Sequence, residues 1–332
     1  MSPLVIDAHS HILVQGAEKL ASRLKAHYPG DSGRDFQGEE SREVNRQKIP
    51  QLRPALTEEK TKLSAMDRMG IDVSVLAASP LSYHAWAEGE DALRLSRIQN
   101  EAMAEMVARR PERFAALAVL PLQDVDLAVA ELEYAVRDLG HRGAMVQTNY
   151  RGRDLDHPVY ETLYARLEEL DLPLFLHPHD VAGKERFQDY YLTNLIGNPL
   201  DTTIAIGRMM LGGVLQRHPK LKVCLVHAGG QYPYIRGRLD HGYRERPEAR
   251  KRAPKEPSAY LGQVWFDTIT HWDPALSFLI ETVGEDHVYL GSDYPFDMAE
   301  FGCVEQVRRV VSSPGAQEKI LGGNAAKLLK LS

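Results

Sequence analysis

The sequence predicts an α/β protein folded as a single (β/α)8, or TIM, barrel that occupies residues 1–332. Eight short apolar segments alternate with helical patterns, an order typical of a parallel sheet with helices outside it. Most segments are almost continuous in hydrophobic residues, as expected when both faces of a strand are covered. An open, doubly wound sheet is the structural alternative. No Gly-rich phosphate loop follows any segment, which favours the closed barrel.

The individual elements follow this alternation from one end of the chain to the other. Gly70, Pro111 and Gly140 end the first three helical patterns, because glycine and proline interrupt helices. The predicted strands are Leu4–Ala8, Asp72–Ala78, Phe114–Leu120, Gly143–Gln147, Leu172–Leu176, Leu221–Val226, Val264–Thr268 and Val288–Leu290. The helical patterns include Glu58–Arg68, Glu90–Arg109, Asp124–Leu139, Pro158–Leu170 and Thr202–Arg217.

One segment, at about residues 15–56, interrupts the alternation between the first strand and its helix. It is polar and rich in charged side chains, so the sequence predicts a long loop without regular structure. Such a loop in a compact domain is often functional, and this one leaves the carboxyl end of a strand, where barrel active sites lie. Two hypotheses follow for it: a lid over the barrel mouth, or a solvated surface insertion.

The composition limits the classes of protein to which the chain could belong. A formal charge of −6 and a pI near 6.1 provide no basic surface for a phosphate backbone, which argues against a nucleic-acid partner. No apolar run approaches the roughly 20 residues that span a membrane, and the N-terminus lacks the apolar region of a signal peptide. Cys224 and Cys303 are too few for a disulfide framework. We therefore expect a cytoplasmic protein.

The first strand leads into the segment Asp7-Ala8-His9-Ser10-His11. Side chains two residues apart on a strand point to the same face, so His9 and His11 can bind one ion. A lone His-x-His pair is weak evidence, because it occurs by chance and because a histidine can simply satisfy a buried hydrogen bond. Its position at the carboxyl end of a barrel strand makes it informative.

Three further strands end in a side chain that can bind a metal. His177 follows the fifth strand, His227 the sixth and Asp293 the eighth. Any one of them could merely cap a helix or bond a carbonyl, but five such side chains at one end of four strands are hard to explain as packing. Imidazole and carboxylate donors without sulfur suit a borderline divalent ion, so we expect Zn²⁺, with Mn²⁺ as the alternative.

On these residues the sequence resembles the amidohydrolase superfamily, and within it the branch similar to aminocarboxymuconate-semialdehyde decarboxylase. The resemblance extends over nearly the whole chain. Its motifs are Asp7-Ala8-His9-Ser10-His11, Met66-Asp67-Arg68-Met69-Gly70-Ile71-Asp72, Leu120-Pro121-Leu122-Gln123, His177-Pro178, Thr202-Thr203-Ile204-Ala205-Ile206, Pro219-Lys220-Leu221-Lys222-Val223-Cys224, His227-Ala228-Gly229-Gly230 and Gly291-Ser292-Asp293-Tyr294-Pro295-Phe296.

The resemblance implies a role for the residues at the strand ends. His227 would be the acid/base residue beside the metal, and Asp293 would assist its proton transfer. A homodimer is implied as well, in which Arg238 reaches the neighbouring subunit's site and pairs with a carboxylate of the substrate. The metal ligands would be His9, His11, His177 and Asp293.

Two departures from the family pattern concern the substrate. The family decarboxylase has Phe-Arg-Pro in its first long loop, with the arginine on a substrate carboxylate; here the comparable stretch reads Ile49-Pro50-Gln51-Leu52-Arg53-Pro54. Arg53 is therefore only a candidate replacement. The family's His-Pro-Trp-Asp corresponds to His177-Pro178-His179-Asp180 in this chain. We expect His179 and Phe296 to contact the substrate, and the histidine to favour a more polar one.

The expected activity is non-oxidative decarboxylation of an unsaturated or aromatic carboxylic acid, either carboxymuconate-semialdehyde-like or hydroxybenzoate-like. The same ligands also serve hydrolysis of a lactone or amide and hydration of a double bond, so these reactions remain alternatives. A non-catalytic metal-binding barrel is a third hypothesis, although binding alone requires no acid/base residue such as His227. Asp267 is a weaker candidate that would orient a ligand or bond the barrel rim, and His271 and Trp272 are candidates to line the pocket.

Overall fold

The computed structural model describes residues 4–28 and 37–331, and eight parallel strands form its centre. All eight predicted strands are confirmed to within a few residues. An antiparallel hairpin of Asn149–Tyr150 with Arg153–Asp154 follows the fourth strand. The barrel strands are β1 Ile6–Ile12, β2 Val73–Ala78, β3 Phe114–Ala116 with its continuation Ala118–Val119, β4 Ala144–Gln147, β5 Pro173–His177, β6 Lys222–Leu225, β7 Val264–Asp267 and β8 Val288–Tyr289.

Neighbouring strands pair in parallel around the barrel in the order of the chain. The first part of β3 pairs with β2 and its continuation pairs with β4, so β3 joins the two hydrogen-bonded runs of strands. At the other side, the backbone N–H of Ala8 donates to the carbonyl of Leu290 (2.9 Å), and that of His11 donates to Tyr294 (2.8 Å). These bonds connect the first strand to the last, and the predicted (β/α)8 barrel is confirmed.

Helices cover the outside of the barrel, and they include all five of the predicted helical patterns, the last of them divided in two. In the described residues no helix is both long enough and apolar enough to cross a membrane. The helices are α1 Gln15–Leu24, α2 Glu39–Thr57, α3 Glu59–Met69, α4 Gly89–Arg109, α5 Val125–Arg137, α6 Glu161–Leu170, α7 Asn198–Leu211, α8 Val214–Arg217, α9 Tyr232–Glu245, α10 Asp273–Val283, α11 Cys303–Val310, α12 Pro314–Glu318 and α13 Asn324–Leu329.

The segment at residues 15–56 is largely helical, so the prediction of a loop without regular structure was wrong. It contains α1 and most of α2, and residues 29–36 lie outside the described part of the chain. Glu39 and Glu40 favour the start of α2, because acidic side chains interact well with a helix N-terminus. Leu56 is its only buried residue, and Pro50 and Pro54 lie inside it. A helix with so few apolar side chains and two prolines shows no clear period in the sequence.

A β-bulge in β1 determines which of its side chains face the barrel interior. Between Asp7 and Ser10 the pairing with β2 shifts by one residue, so that Ala8 and His9 together lie opposite Val75. Ala8 and Val75 belong to the apolar cluster inside the barrel. The bulge therefore turns two consecutive residues inward. The strand was predicted to end at Ala8, but it continues through Ile12 and carries both histidines of the His-x-His pair.

Candidate metal centre

The histidines of β1 meet a third histidine inside the carboxyl end of the barrel. His9 and His11 are fully buried, and their Nε2 atoms lie 3.2 Å apart. His177 is the last residue of β5, and its ring centroid lies 5.3 Å from that of His9 and 4.9 Å from that of His11. Residues that are far apart in the sequence therefore converge at one point.

Each of the three imidazoles is held from behind by a hydrogen-bond acceptor at Nδ1. An Nδ1 that donates its proton to an oxygen leaves Nε2 with a lone pair and no proton. Three lone pairs directed at one another repel unless a cation lies between them, so this arrangement fits a metal ion. The acceptors are Oδ2 of Asp267 for His9 (2.8 Å), the carbonyl of Ala78 for His11 (3.3 Å) and the carbonyl of Pro178 for His177 (2.8 Å).

Asp293 supplies a carboxylate to this cluster from the loop after β8. Its Oδ1 lies 3.0 Å from Nε2 of His11 and 3.5 Å from Nε2 of His9. In the described part of the chain, this oxygen and Nε2 of His177 have no hydrogen-bond partner, although both are buried. One donor atom from each of the four side chains lies within 4.8 Å of the others. Three imidazoles and one carboxylate thus form a metal-binding site suited to a borderline divalent ion.

Burial keeps two of these imidazoles, His11 and His177, in the form that binds a metal. It lowers the pKa of His11 from 6.5 to about 4. The pKa of His177 falls well below 6.5, because of burial and because His11, His227 and His9 lie nearby. A histidine binds a metal ion only through a ring nitrogen that carries no proton, so a protonated imidazole must first lose that proton. At neutral pH these two ligands carry no such proton, so binding requires no prior deprotonation.

Asp267, at the end of β7, connects the metal site to the barrel rim. Its fully buried carboxylate accepts a hydrogen bond from Nδ1 of His9 and three more from backbone N–H groups: His227 (2.9 Å), Ala228 (2.7 Å) and Ile269 (3.1 Å). The structure therefore supports the hypothesis that Asp267 bonds the rim. It also shows that the same carboxylate orients a predicted metal ligand.

A buried lysine lies behind β1, and it was not predicted from the sequence. Lys62 on α3 is 1% exposed, and its Nζ donates to Oγ of Ser10 (3.1 Å) and to the carbonyl of His11 (3.3 Å). Burial lowers its pKa from 10.5 to about 8, although Asp7 favours the charged form. Lys62 holds the outer side of the segment whose inner side carries His9 and His11. A lysine in a helical pattern is usually exposed, so no signal in the sequence revealed it.

His227 lies beside the four converging side chains and outside their cluster. Its Nε2 is 3.7 Å from Oδ2 of Asp293, and its side chain is 15% exposed. His227, Ala228 and the two following glycines all have positive φ angles, a conformation that favours glycine. A side chain at Gly230 would come within 2.1 Å of the Pro199 carbonyl oxygen, so the turn requires glycine there. This turn places the imidazole next to Asp293 with one face toward open space.

A cavity of about 170 Å³ opens beside the metal site. His177, His227 and Asp293 form part of its wall. The two residues predicted to contact the substrate, His179 and Phe296, line the same cavity. The structure therefore brings both of them to the predicted place, and their contact with a substrate stays a prediction.

One wall of the cavity, formed by α2, was not predicted from the sequence. Asn45, Lys48, Ile49 and Leu52 of α2 line it. Their spacing of three, four and seven residues corresponds to one face of a helix. That spacing is the signal for this wall in the sequence, within a segment that was predicted to be a loop. The lid hypothesis stays a prediction, now for a helix.

Two arginines with predicted substrate contacts lie away from this cavity in the described structure. Arg53 on α2 pairs with Glu18 on α1, with Nη2 2.8 Å from Oε2. It therefore does not take the place of the family's carboxylate-binding arginine. Arg238 is an exposed residue of α9 and is not part of the cavity wall. Its predicted contact with the site of a neighbouring subunit stays a prediction.

A second, apolar groove adjoins the cavity and shares His227 with it. His271 and Trp272, which were candidates to line the pocket beside the metal, line this groove instead. Several large apolar side chains along it are exposed to solvent. They are Tyr234 (84%), Trp272 (66%), Leu195 (47%) and Phe278 (44%).

Comparison with known proteins agrees with this geometry. A sequence profile of the amidohydrolase family matches residues 6–331. The chain is 36% identical over 274 residues to 2-amino-3-carboxymuconate-6-semialdehyde decarboxylase of Dictyostelium discoideum, which covers 81% of this chain and 76% of the relative. It is 30% identical to gamma-resorcylate decarboxylase of Rhizobium radiobacter, over 82% of this chain and 86% of that one.

A solved structure of similar fold contains a metal. It is dihydroxybenzoic acid decarboxylase from Polaromonas sp. JS666, with bound manganese and the inhibitor 2-nitroresorcinol. The TM-score is 0.83 at 25% sequence identity, and the alignment covers 99% of this chain and 97% of the other. The similarity therefore includes the whole barrel.

Proposed function

The chain belongs to the amidohydrolase family, and on that premise we propose that it is a metal-dependent decarboxylase of a small aromatic or unsaturated carboxylic acid. The observation that carries the proposal is the converging His9, His11, His177 and Asp293 cluster with His227 beside it. The adjoining cavity of about 170 Å³ is suited to one substituted ring, since a cavity of about 150 Å³ holds benzene. Relatives at 36% and 30% identity are decarboxylases.

His9, His11, His177 and Asp293 would bind one divalent ion, with Zn²⁺ as the first choice. Imidazole nitrogens and a carboxylate oxygen suit zinc, and Mn²⁺ is the alternative because the Polaromonas relative holds manganese. When bound, the ion supplies a Lewis acid that stabilises negative charge on a substrate oxygen. The buried acceptors behind the imidazoles keep the donor atoms in place for it.

His227 would carry the proton that decarboxylation requires. In its protonated form, its Nε2 delivers a proton to the carbon that bears the carboxylate, and a new C–H bond forms. The C–C bond to the carboxylate then breaks, carbon dioxide leaves, and the electron pair of that bond returns to the unsaturated system. Oδ2 of Asp293, 3.7 Å from Nε2, stabilises the imidazolium before the transfer and helps to reload it afterwards.

His179 and Phe296 would hold the ring of the substrate. Both line the cavity that contains His177 and His227. The Phe296 ring provides an apolar surface, and the imidazole of His179 provides a polar contact at the cavity wall. Together they would align the carbon that bears the carboxylate with Nε2 of His227.

We further propose a homodimer in which Arg238 completes the site of the neighbouring subunit. Arg238 lies one helical turn after Tyr234, so both occupy the same face of α9. Tyr234 and Trp272 are among the exposed apolar residues of the groove beside His227, and such a patch marks an interaction surface. A twofold dimer that buried this patch would bring the partner's Arg238 toward the substrate carboxylate.

A cytoplasmic location is part of the same proposal. Cys224 and Cys303 are both buried and neither forms a disulfide. Free, buried thiols are common in a reducing compartment.

Product analysis tests the proposal. Zinc-loaded and manganese-loaded protein would be incubated with hydroxybenzoate-like and carboxymuconate-like acids labelled with ¹³C in the carboxyl group. We expect labelled carbon dioxide and a product with one new C–H bond, which carries deuterium when the reaction runs in D₂O. Oxygen from labelled water in the product, without release of carbon dioxide, would show a hydrolase or hydratase instead. Binding without any product would show a non-catalytic barrel.

A further inference from the structure

The wall of the cavity beside the metal site contains two lysines, and each is paired with an aspartate. Nζ of Lys48 lies 3.3 Å from Oδ2 of Asp297, and Nζ of Lys184 donates to Oδ1 of Asp180 at 2.8 Å. All four side chains line the cavity. Among its described lining residues, the charges outside the metal ligands and histidines therefore sum to zero.

Asp297, in the loop after β8, contacts two other parts of this wall. Besides the contact with Lys48 of α2, its Oδ1 accepts a hydrogen bond from the hydroxyl of Tyr191 (3.1 Å). It follows Asp293 by four residues in the loop after β8. A carboxylate offers about four acceptor positions, of which these contacts use two. Its side chain is 31% exposed and lines the cavity.

This pairing decides which groups of a bound acid the wall can accept. A hydroxyl group near Asp297 would donate to the carboxylate, and the neutral amides of Asn45, Asn194 and Asn198 line the same cavity. A second carboxylate there would instead approach a negative charge, while Lys48 is already engaged. Like charges repel each other, and more so where water is partly excluded.

We propose that Asp297 determines specificity by selecting a monocarboxylic acid with a ring hydroxyl and disfavouring a dicarboxylic acid. The inference rests on the proposed function and narrows its substrate class to the hydroxybenzoate-like acids. Among the described residues, the polar contacts of the Asp297 side chain are with Lys48 and Tyr191, which are neither metal ligands nor His227. Selection would therefore change without a change in the metal site.

Binding of two matched probes to the zinc-loaded protein tests the inference without turnover. The probes are 3-hydroxybenzoate and benzene-1,3-dicarboxylate, which differ only in a hydroxyl or a carboxylate at one ring position, and their affinities are measured by calorimetry. We expect wild type to bind 3-hydroxybenzoate about 10-fold more tightly, a typical effect of one charged contact. Asp297→Asn keeps the shape, removes the charge and frees Lys48. We expect it to shift the ratio of affinities by about 10-fold or more toward the dicarboxylate.

Two further variants assign the effect to this pair. Lys48→Met combined with Asp297→Asn should lose the part of the gain that the freed cation supplies and keep the part that comes from removing the negative charge. Glu300→Gln removes a carboxylate in the same loop that does not line the cavity, and the ratio should stay as in wild type. The inference is overturned if wild type prefers the dicarboxylate, if neither probe binds, or if Asp297→Asn leaves the ratio unchanged.

The outcome is separable from that of the proposed reaction. A shifted ratio in a protein that releases no carbon dioxide from any acid would support the selection by Asp297 and contradict the decarboxylase. Release of carbon dioxide together with an unchanged ratio of affinities in Asp297→Asn would support the decarboxylase and contradict the selection by Asp297.

Discussion

The two sides of the cavity are built in different ways. On the metal side, the side chains of His9 and Asp267 are fully buried and every histidine of the cluster has a fixed acceptor behind it. On the other side of the cavity, the side chain of Lys48 is 51% exposed and that of Asp297 is 31% exposed. Breaking a buried charged pair costs about 3–5 kcal/mol, whereas an exposed ion pair contributes only about 0–1 kcal/mol.

The difference indicates which property of the molecule can change easily. Substitutions on the metal side leave buried polar atoms without partners, so they affect metal binding and stability together. Substitutions in the Lys48–Asp297 pair leave groups that water can reach. Selection of substrate can therefore vary at little cost in folding, while the chemistry at the carboxyl end of the barrel is constrained.

The largest effect is expected from removing a metal ligand. Wild type purified without added metal should contain about one equivalent of zinc per chain, and His177→Ala should lose both the metal and the release of carbon dioxide. Metal analysis and a product assay on the same sample measure this. His141→Ala is the matched control, because His141 is also buried but has no place in the cluster. A His177→Ala protein with full metal content and activity would contradict the assignment of His177 as a metal ligand.

A smaller effect, on turnover alone, is expected at His227. Because it lies beside the cluster, His227→Asn should keep its metal and lose kcat by about 10²-fold or more, the usual scale for a positioned acid/base group. The measurement is kcat with the metal content checked in parallel. Near-normal turnover in this variant would contradict the assigned role. Loss of metal in parallel with turnover would instead make His227 a fifth ligand.

The role of Asp267 sharpens the comparison between the two sides. Asp267→Asn keeps the size of the side chain but weakens its bond to Nδ1 of His9, and metal affinity should fall by about 10–100-fold. Competition with a chelator measures the affinity. Asp297→Asn serves as the control from the other wall and should bind metal as wild type does. Equal effects of the two substitutions would show that the walls do not differ in this respect.

The smallest expected effect on chemistry is that of Arg238, and it tests the dimer. A cation paired with a carboxylate contributes about 1.5–3 kcal/mol, so Arg238→Ala should mainly raise KM. If the arginine acts across the interface, mixing Arg238→Ala chains with His227→Ala chains should restore activity at a substrate concentration far below the raised KM, where each variant alone is nearly inactive. Random pairing makes half of the dimers mixed, with one intact site each, so about a quarter of wild-type turnover is the maximum.

The control for this experiment is proof that the subunits exchange, for example with two differently tagged chains. Dilution of wild type into monomers should abolish activity as well. Mixtures that exchange subunits but regain nothing would leave Arg238 as a residue of its own subunit.

Much of the barrel could be predicted from the sequence, for a physical reason. A parallel strand covered on both faces is a short continuous apolar run, and a side chain that follows such a run, as His177 and Asp293 do, lies at the carboxyl end of the barrel. These residues could therefore be placed together without knowledge of the distances between them. The helix α2 could not be predicted in this way, because it packs few apolar side chains and contains two prolines.

The contacts that shape the second wall had no local signal either. Lys48 and Asp297 are 249 positions apart, and neither lies in an apolar pattern that indicates its neighbours. Lys62 was missed because its burial depends on the packing of α3 against β1. Such contacts depend on the tertiary arrangement, which a single sequence does not encode in a repeating pattern.

The bulge in β1 decides whether the histidines of the metal site face the interior of the barrel. Along a regular strand, odd and even positions face opposite sides, and a bulge changes which of the two faces inward. Ile6 and His9 both face the interior of this barrel only because one additional residue stands between Asp7 and Ser10. If β1 alternated regularly from Ile6 with Ala8 still in place, His9 and His11 would face outward and Ser10 inward. A chain with all four ligands in its sequence would then have no site, so the extra residue of the bulge places the imidazoles as much as their spacing does.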